Sequence, residues 1–88
     1  MKRTFGWNLK RAIEKFGFTP TELPPNATHE CGKLYWNGYW QKFYKVLKIN
    51  ENDILNHVTV EWEDGTTTTH CTKLDTGRDW MLTPATAI

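Results

Sequence analysis

The chain of 88 residues contains no serine and only two cysteines. Without serine, every catalytic scheme that uses a serine nucleophile is excluded, and two cysteines are too few for a disulfide scaffold. No apolar run approaches the ~18 residues that a membrane span requires, and no basic segment followed by an apolar stretch marks a signal peptide. Six glycines and four prolines are too few for a disordered or collagen-like chain. We therefore expect one globular domain, residues 1–88, in the cytoplasm.

Catalysis and metal binding find little support in the sequence. No glycine-rich phosphate loop is present, and the adjacent His70 and Cys71 would point to opposite faces of a strand. His29 and Cys31, taken together with His70 and Cys71, lack the usual spacing of structural zinc ligands. The sequence thus predicts a non-enzymatic protein without a metal or cofactor. The cysteines are expected as reduced, partly buried thiols, with a Cys31–Cys71 disulfide as the alternative if the first and fourth strands are neighbours.

Aromatic residues are abundant, and the charge is unevenly distributed. Five Trp, four Phe and three Tyr make up 14% of the chain. The formal net charge is only +1, but residues 1–19 contain five basic residues against one acidic residue. A basic end of this kind steers a protein towards nucleic acid or another anionic surface, although it is also typical of a solvated helix face.

Residues 5–17 have the spacing of an amphipathic helix. Their apolar residues recur every three or four positions as far as Phe16. Thr4 is a suitable N-cap, and Gly17 is a suitable left-handed residue for the C-terminal end. Because a helix this short is unstable alone in water, it must pack against another surface. The proline-rich residues that follow, 18–28, predict an extended connector.

From residue 29 onward the pattern changes to strands and turns. Residues 29–83 predict five short strands, with two-residue turns at Asn37-Gly38 and Asp64-Gly65, and residues 84–88 predict a frayed tail. The long second strand has apolar residues of both parities, which requires a β-bulge or a cover on its outer face. The N-terminal helix is the candidate for that cover. The fold class is therefore mainly β (α+β), a helix packed on a small barrel or sandwich.

Residues 36–49, an aromatic loop followed by a bent strand, resemble the corresponding part of SH3-like barrels of the Tudor or chromo-barrel type. Residues 58–65 resemble the third strand and turn of that family, and Lys73-Leu74-Asp75 its last helical turn, so the resemblance covers about residues 31–83. It implies a five-stranded SH3-like or Tudor-like β-barrel. In Tudor-like domains an aromatic cage holds a methylated Lys or Arg by cation–π attraction. The counterparts of the cage residues here would be Trp36, Tyr44 and Trp62, although Asp64-Gly65 replaces a further aromatic that the family often has.

The aromatic residues around the Asn37-Gly38 turn carry the first functional hypothesis. Strand alternation would send about half of them to the core and the rest towards solvent. Exposed aromatic patches mark recognition surfaces, whereas cross-strand pairing that stabilises the hairpin is the structural alternative. We expect a monomeric binding module for a protein or peptide ligand, with these contact residues: Trp36, Tyr39, Trp40, Tyr44 and Trp62.

The basic residues carry a second hypothesis, nucleic-acid binding. Small barrels that bind single strands combine lysines with aromatic stacking platforms. The candidate contacts are Lys33, Lys42, Lys45, Lys48, Lys10 and Arg11. The structural alternative is that strand lysines protect an edge from aggregation. A third hypothesis is a structural or assembly subunit whose exposed aromatic residues form a protein interface. No membrane contact is expected.

Overall fold

A computed structural model describes residues 6–71 and 73–84. The described chain contains one helix and six strands. In chain order they are α1 (Trp7–Phe16), β1 (Thr19–Glu22), β2 (Leu34–Asn37), β3 (Lys42–Ile49), β4 (Val58–Trp62), β5 (Thr67–His70) and β6 (Trp80–Thr83). No helix in these ranges is long and apolar enough to cross a membrane.

The six strands form one antiparallel sheet in the order β1-β6-β2-β3-β4-β5. The sheet is open, with β1 and β5 at its two edges, so the described residues do not form the closed five-stranded barrel that the sequence predicts. The additional strand, β1, lies inside the predicted connector, residues 18–28, and pairs with β6 from Thr19↔Thr83 to Glu22↔Trp80. Pro20 is compatible with this strand because an edge strand can lack one backbone donor.

Both faces of the sheet are covered, and each has its own core. The outer face packs against α1 and contains Leu9, Ala12, Phe18, Trp36, Trp80 and Leu82. The inner face is covered by the segments before β2 and before β6, and its buried residues are Leu23, Tyr35, Tyr44, Val46, Val58, Val60 and Leu74. The predicted mainly β fold with a docked N-terminal helix is therefore confirmed at this level.

Strand β3 combines the two features that its apolar pattern predicts. Its pairing with β4 shifts between Val46 and Lys48, so Leu47 is the additional residue of a bulge. At the other end of β3, Phe43 packs against the outer core beneath α1. The sequence predicts either a bulge or a helical cover for β3, and both are present.

Helix α1 begins and ends at glycines. Gly6 is the N-cap, and because glycine has no side chain, no side-chain capping hydrogen bond is made there. The predicted N-cap, Thr4, lies outside the described residues. Gly17 adopts the left-handed conformation (φ 74°), and its N–H donates to the Ile13 carbonyl at 2.8 Å. The predicted C-terminal glycine is thus confirmed. Of the predicted tail, only Pro84 lies within the described residues.

Both hairpin loops are longer than the two residues predicted. Asn37 pairs with Lys42, which leaves a four-residue loop, 38–41. Gln41 is left-handed there (φ 59°). In the second hairpin Trp62 N–H donates to the Thr66 carbonyl at 2.8 Å, and Gly65 (φ 89°) N–H donates back to the Trp62 carbonyl at 2.9 Å. This three-residue loop with a left-handed glycine is a common alternative to the two-residue turn.

Candidate aromatic recognition surface

The predicted aromatic contact residues divide between the core and the surface. Trp36 is only 3% exposed and lies in the outer core beneath α1, so the prediction that it contributes to an exposed surface is wrong. Tyr44 is also buried, in the inner core. Tyr39 and Trp40 are 69% and 62% exposed, and Trp62 is half-buried. Because both faces of the sheet are covered, strand alternation does not leave Trp36 near solvent.

The expected three-residue cage is not assembled. Trp36 lies on the outer face, whereas Tyr44 and Trp62 pack on the inner face. The ring centroids of Tyr44 and Trp62 are 5.1 Å apart. Their exposed aromatic neighbour is Trp40, which borders the same pocket. The residues that can meet a ligand on this side are therefore Trp40 and Trp62, with Tyr39 beside Trp40 at a centroid distance of 5.0 Å.

The loop that carries Tyr39 and Trp40 is held by a buried amide. Asn37 is 8% exposed, and its Oδ1 accepts hydrogen bonds from the backbone N–H groups of Tyr39 (2.9 Å) and Trp40 (2.7 Å). The Gln41 side chain donates to the Gly38 carbonyl across the same loop. Two apolar side chains are thus presented to solvent by a backbone with satisfied hydrogen bonds.

A buried carboxylate joins this loop to the segment before β6. Asp79 is 4% exposed. Its Oδ1 accepts from Gly38 N–H at 2.8 Å, and its Oδ2 accepts from Asp75 N–H at 3.1 Å. Burial raises the pKa of Asp79 above its ordinary value, against the opposing effect of the two backbone donors. Asp79 therefore links the hairpin loop to the segment before β6 through two backbone hydrogen bonds.

Two adjoining pockets share Trp40, Trp62 and His70 in their walls. The deeper one has a volume of about 50 Å³ and reaches His29 and Tyr44. A volume of this size admits roughly one or two water molecules. The shallower one, about 260 Å³, opens towards Lys42 and Asp64 at the rim. Together they form the aromatic pocket, which is lined by Trp40, Tyr44, Trp62, His29 and His70.

Hydrogen bonds fix the polar edges of the aromatic pocket. Tyr44 Oη and His29 Nε2 share a hydrogen bond at 2.7 Å. Burial, and to a smaller extent the charge of His57, lowers the pKa of His29 to about 4, so this imidazole is neutral at pH 7. Burial likewise raises the pKa of the Tyr44 hydroxyl. On the opposite wall Trp62 Nε1–H donates to Thr68 Oγ1 at 2.6 Å.

These bonds give the polar atoms of Tyr44, His29 and Trp62 partners within the protein. Thr68 Oγ1 also lies 2.5 Å from His70 Nε2, which continues the chain of hydrogen bonds along the wall.

The site residues His29, Asn37 and Asp79 were not predicted from the sequence. Asn37 had a visible signal, since it precedes glycine in a turn, but His29 and Asp79 are brought to the site only by long-range packing.

The basic residues do not surround the aromatic pocket. Among the described lysines and arginines, Lys42 alone borders it. Lys45 and Lys48 lie opposite Glu61 and Thr59, respectively, on the outer face. Residues three positions apart in a regular strand would face opposite sides, but the additional residue of the bulge, Leu47, places both lysines on the same side. The other exposed candidates are on α1 or before β2: Lys10, Arg11 and Lys33.

The cysteines and histidines form no described metal site. In the part of the chain that the structure describes, no three His, Cys, Asp or Glu side chains are placed to hold a metal ion. Cys31 and Cys71 are free thiols, and both are exposed rather than partly buried as predicted. Cys31 Sγ donates to the Leu47 carbonyl at 3.2 Å, so this thiol contacts the backbone of the bulge in β3.

Comparison of the chain with protein-family models, with curated proteins and with solved structures gives no match. What the aromatic pocket does must therefore be inferred from its own residues.

Proposed function

We propose that the protein is a non-enzymatic binding module that recognises a protein or peptide ligand through Tyr39, Trp40 and Trp62. The observation that carries this proposal is the exposure of Trp40 on a loop whose backbone is fixed by Asn37. Aromatic side chains are enriched among the residues that dominate protein interfaces. A fixed loop also reduces the entropy that binding would otherwise lose.

The strand order supports the SH3-like or Tudor-like interpretation on which this proposal also draws. Strands β2 to β5 are consecutive neighbours, β3 is bulged, and β6 returns beside β2. We infer an SH3-like or Tudor-like arrangement with an additional edge strand, β1. Cytoplasmic location and a monomeric state remain predictions from the sequence.

Nucleic-acid binding is the alternative, and the placement of Lys45 and Lys48 on one face favours it. Two lysines on a common face, near a basic helix, can contact successive phosphates. However, the aromatic pocket opens on the other face, and stacking platforms normally lie beside the basic groove. The peptide hypothesis therefore uses more of the observed geometry.

The test compares two exposed tryptophans. A displayed library of random peptides, each of about twelve residues, is selected against the wild-type protein, Trp40→Ala and Trp7→Ala. Trp7 is 72% exposed on α1 and serves as the matched control. We expect enrichment of related sequences by the wild type and by Trp7→Ala, and loss of that enrichment for Trp40→Ala. Equal enrichment by all three proteins would contradict the proposal.

The alternative is tested by ¹H–¹⁵N NMR with a mixed single-stranded oligonucleotide. Nucleic-acid binding would shift the Trp40 indole together with the amides of Lys42 to Lys48, and the shifts would be reversed between about 50 and 200 mM salt. The buried indoles of Trp36 and Trp80 provide internal references. If the oligonucleotide produces no shifts and only peptides produce shifts, which salt does not reverse, the nucleic-acid hypothesis is wrong.

A further inference from the structure

One edge of the sheet has backbone groups that no described residue pairs. β5 pairs with β4 and with no other strand in the described ranges. Trp62 N–H donates to the Thr66 carbonyl, and hydrogen-bonded pairs alternate along an antiparallel ladder. Thr68 and His70 therefore direct their backbone groups towards β4. The N–H and C=O groups of Thr67 and Thr69 point outward, and both residues are exposed.

The two edges of the sheet differ in how they are protected. β1 contains Pro20, which removes a donor from that edge. β5 is a run of threonines ending in His70, without proline, charge or bulge. Thr67 and Thr69 thus offer two donors and two acceptors to an extended segment. An unprotected edge of this kind is a template for strand pairing.

The free edge borders the aromatic pocket. Thr68 and His70 direct their side chains to the inner face, where both line the pocket wall with Trp40 and Trp62. A strand added beside β5 would lie about 4.8 Å from it. Its alternate side chains would then face the same side as Thr68 and His70, within reach of the Trp40 ring. Backbone pairing and aromatic contact can therefore be made by one extended peptide.

The charge of this hairpin selects among possible occupants. Residues 58–71 contain Glu61, Glu63 and Asp64, and no lysine or arginine. A second copy of the chain, paired edge to edge, would place two such acidic hairpins together, and nucleic acid would also be repelled. A basic peptide is attracted instead, and a Lys or Arg side chain over the Trp40 face gains cation–π attraction.

We propose that β5 binds a basic peptide in extended conformation as a seventh strand, with alternate side chains directed into the aromatic pocket. This inference rests on the proposed function, because it names the chemistry and the binding mode of the peptide ligand. It adds a requirement that the proposed function alone does not make, namely free backbone groups at Thr67 and Thr69.

The test uses the full-length protein and a peptide of about ten residues in which Lys and Val alternate. In a ¹H–¹⁵N titration we expect shifts of the Thr67 and Thr69 amides together with the Trp40 and Trp62 indoles. Hydrogen exchange of the Thr67 and Thr69 amides should slow at least tenfold when the peptide is saturating. The same peptide with Glu in place of Lys should bind at least tenfold more weakly.

A variant separates backbone pairing from side-chain contact. Thr69→Pro removes an outward N–H without removing a donor to β4, and we expect it to weaken binding at least tenfold. It also removes the 3.2 Å hydrogen bond between the Thr69 and Thr59 hydroxyls. Thr59→Val removes that bond alone and should bind as the wild type does. If Thr69→Pro does not fold, the exchange of the wild-type amides decides the question.

The outcomes distinguish this inference from the proposed function. Peptide-induced shifts of the Trp40 indole without protection of Thr67 and Thr69 would overturn strand addition and leave the aromatic recognition surface intact. Equal affinity for the Glu peptide would overturn the basic partner. If the Thr67 and Thr69 amide signals broaden as the protein concentration rises without peptide, a second copy of the chain pairs with β5, and the proposed basic peptide is overturned. If neither peptide shifts any signal but the random library still selects sequences that require Trp40, strand addition is wrong and the proposed function stands.

Discussion

Replacing Trp36 by alanine tests the division of the aromatic residues between core and surface. Trp36 is 3% exposed and lies on β2, a strand with neighbours on both sides. It pairs across the sheet with Phe43 and Trp80, and α1 covers it from above. Truncating a tryptophan in such a position removes its apolar burial and leaves a cavity, at a cost of about 3–5 kcal/mol.

This loss is large for a domain of 88 residues. At about 0.05–0.15 kcal/mol per residue, the whole domain is stable by roughly 4–13 kcal/mol. With an m value of about 1–2 kcal/mol per molar urea, the unfolding midpoint of Trp36→Ala should fall by roughly 1.5–5 M. A variant near the lower limit of stability would be unfolded without denaturant, which circular dichroism would report directly.

Trp40→Ala is the matched substitution on the surface. Trp40 is 62% exposed, and exposed positions usually change stability by less than about 0.5 kcal/mol. Urea unfolding followed by circular dichroism at matched protein concentration compares the two variants with the wild type. A cost below about 1 kcal/mol for Trp36→Ala, or similar costs for the two variants, would refute the assignment of Trp36 to the core.

Three further predictions concern the groups that hold the site. Asn37→Ala leaves two loop N–H groups without their acceptor and should cost about 1–3 kcal/mol in urea unfolding, whereas Asn37→Asp keeps an acceptor oxygen and should recover most of the loss. Gly38→Ala should cost about 1–3 kcal/mol, since its Cβ would lie 2.1 Å from Arg78 Cγ and 2.6 Å from the Arg78 carbonyl oxygen; wild-type stability would contradict this close approach. Because burial lowers the pKa of His29 from 6.5 to about 4, the His29 imidazole of the unfolded chain is protonated at a higher pH than that of the folded protein. Stability should therefore fall between about pH 6.5 and 4 by about 1–2 kcal/mol after allowance for partial solvent access, and His29→Gln, measured by thermal unfolding across this range, should remove that part of the pH dependence.

The sequence predicts the elements whose periodicity is local. The apolar stripe identifies α1 to within about two residues, and Gly17 marks the helix end correctly. β1 is not predictable in this way. It is four residues long, contains Pro20 and has no alternating apolar pattern. Its stability comes from pairing with β6, more than fifty residues later, and local propensity carries no information about that pairing.

The exposure of the aromatic residues depends on loop length and on the second cover of the sheet. Alternation predicts that one residue of each neighbouring pair is buried. In the structure Tyr35 and Trp36 are both buried, because the sheet has a core on each face. Tyr39 and Trp40 are both exposed, because they belong to a four-residue loop instead of the strand. A two-residue turn would have placed them in the ladder, where alternation applies.

In the loop after β2, the residues that stabilise the backbone differ from the residues that are exposed to solvent. Asn37 and Asp79, both buried, accept four backbone N–H groups, two each, of which three belong to the hairpin loop. These bonds stabilise a backbone whose most prominent side chains, Tyr39 and Trp40, bury little area themselves. If packing alone selected this loop, its aromatic residues would be its anchors and its polar residues would be exposed. The observed arrangement is reversed, which supports the proposed recognition surface because a binding site needs a rigid backbone beneath it. Substitutions at Trp40 should consequently change binding without changing stability, whereas substitutions at Asn37 should change both.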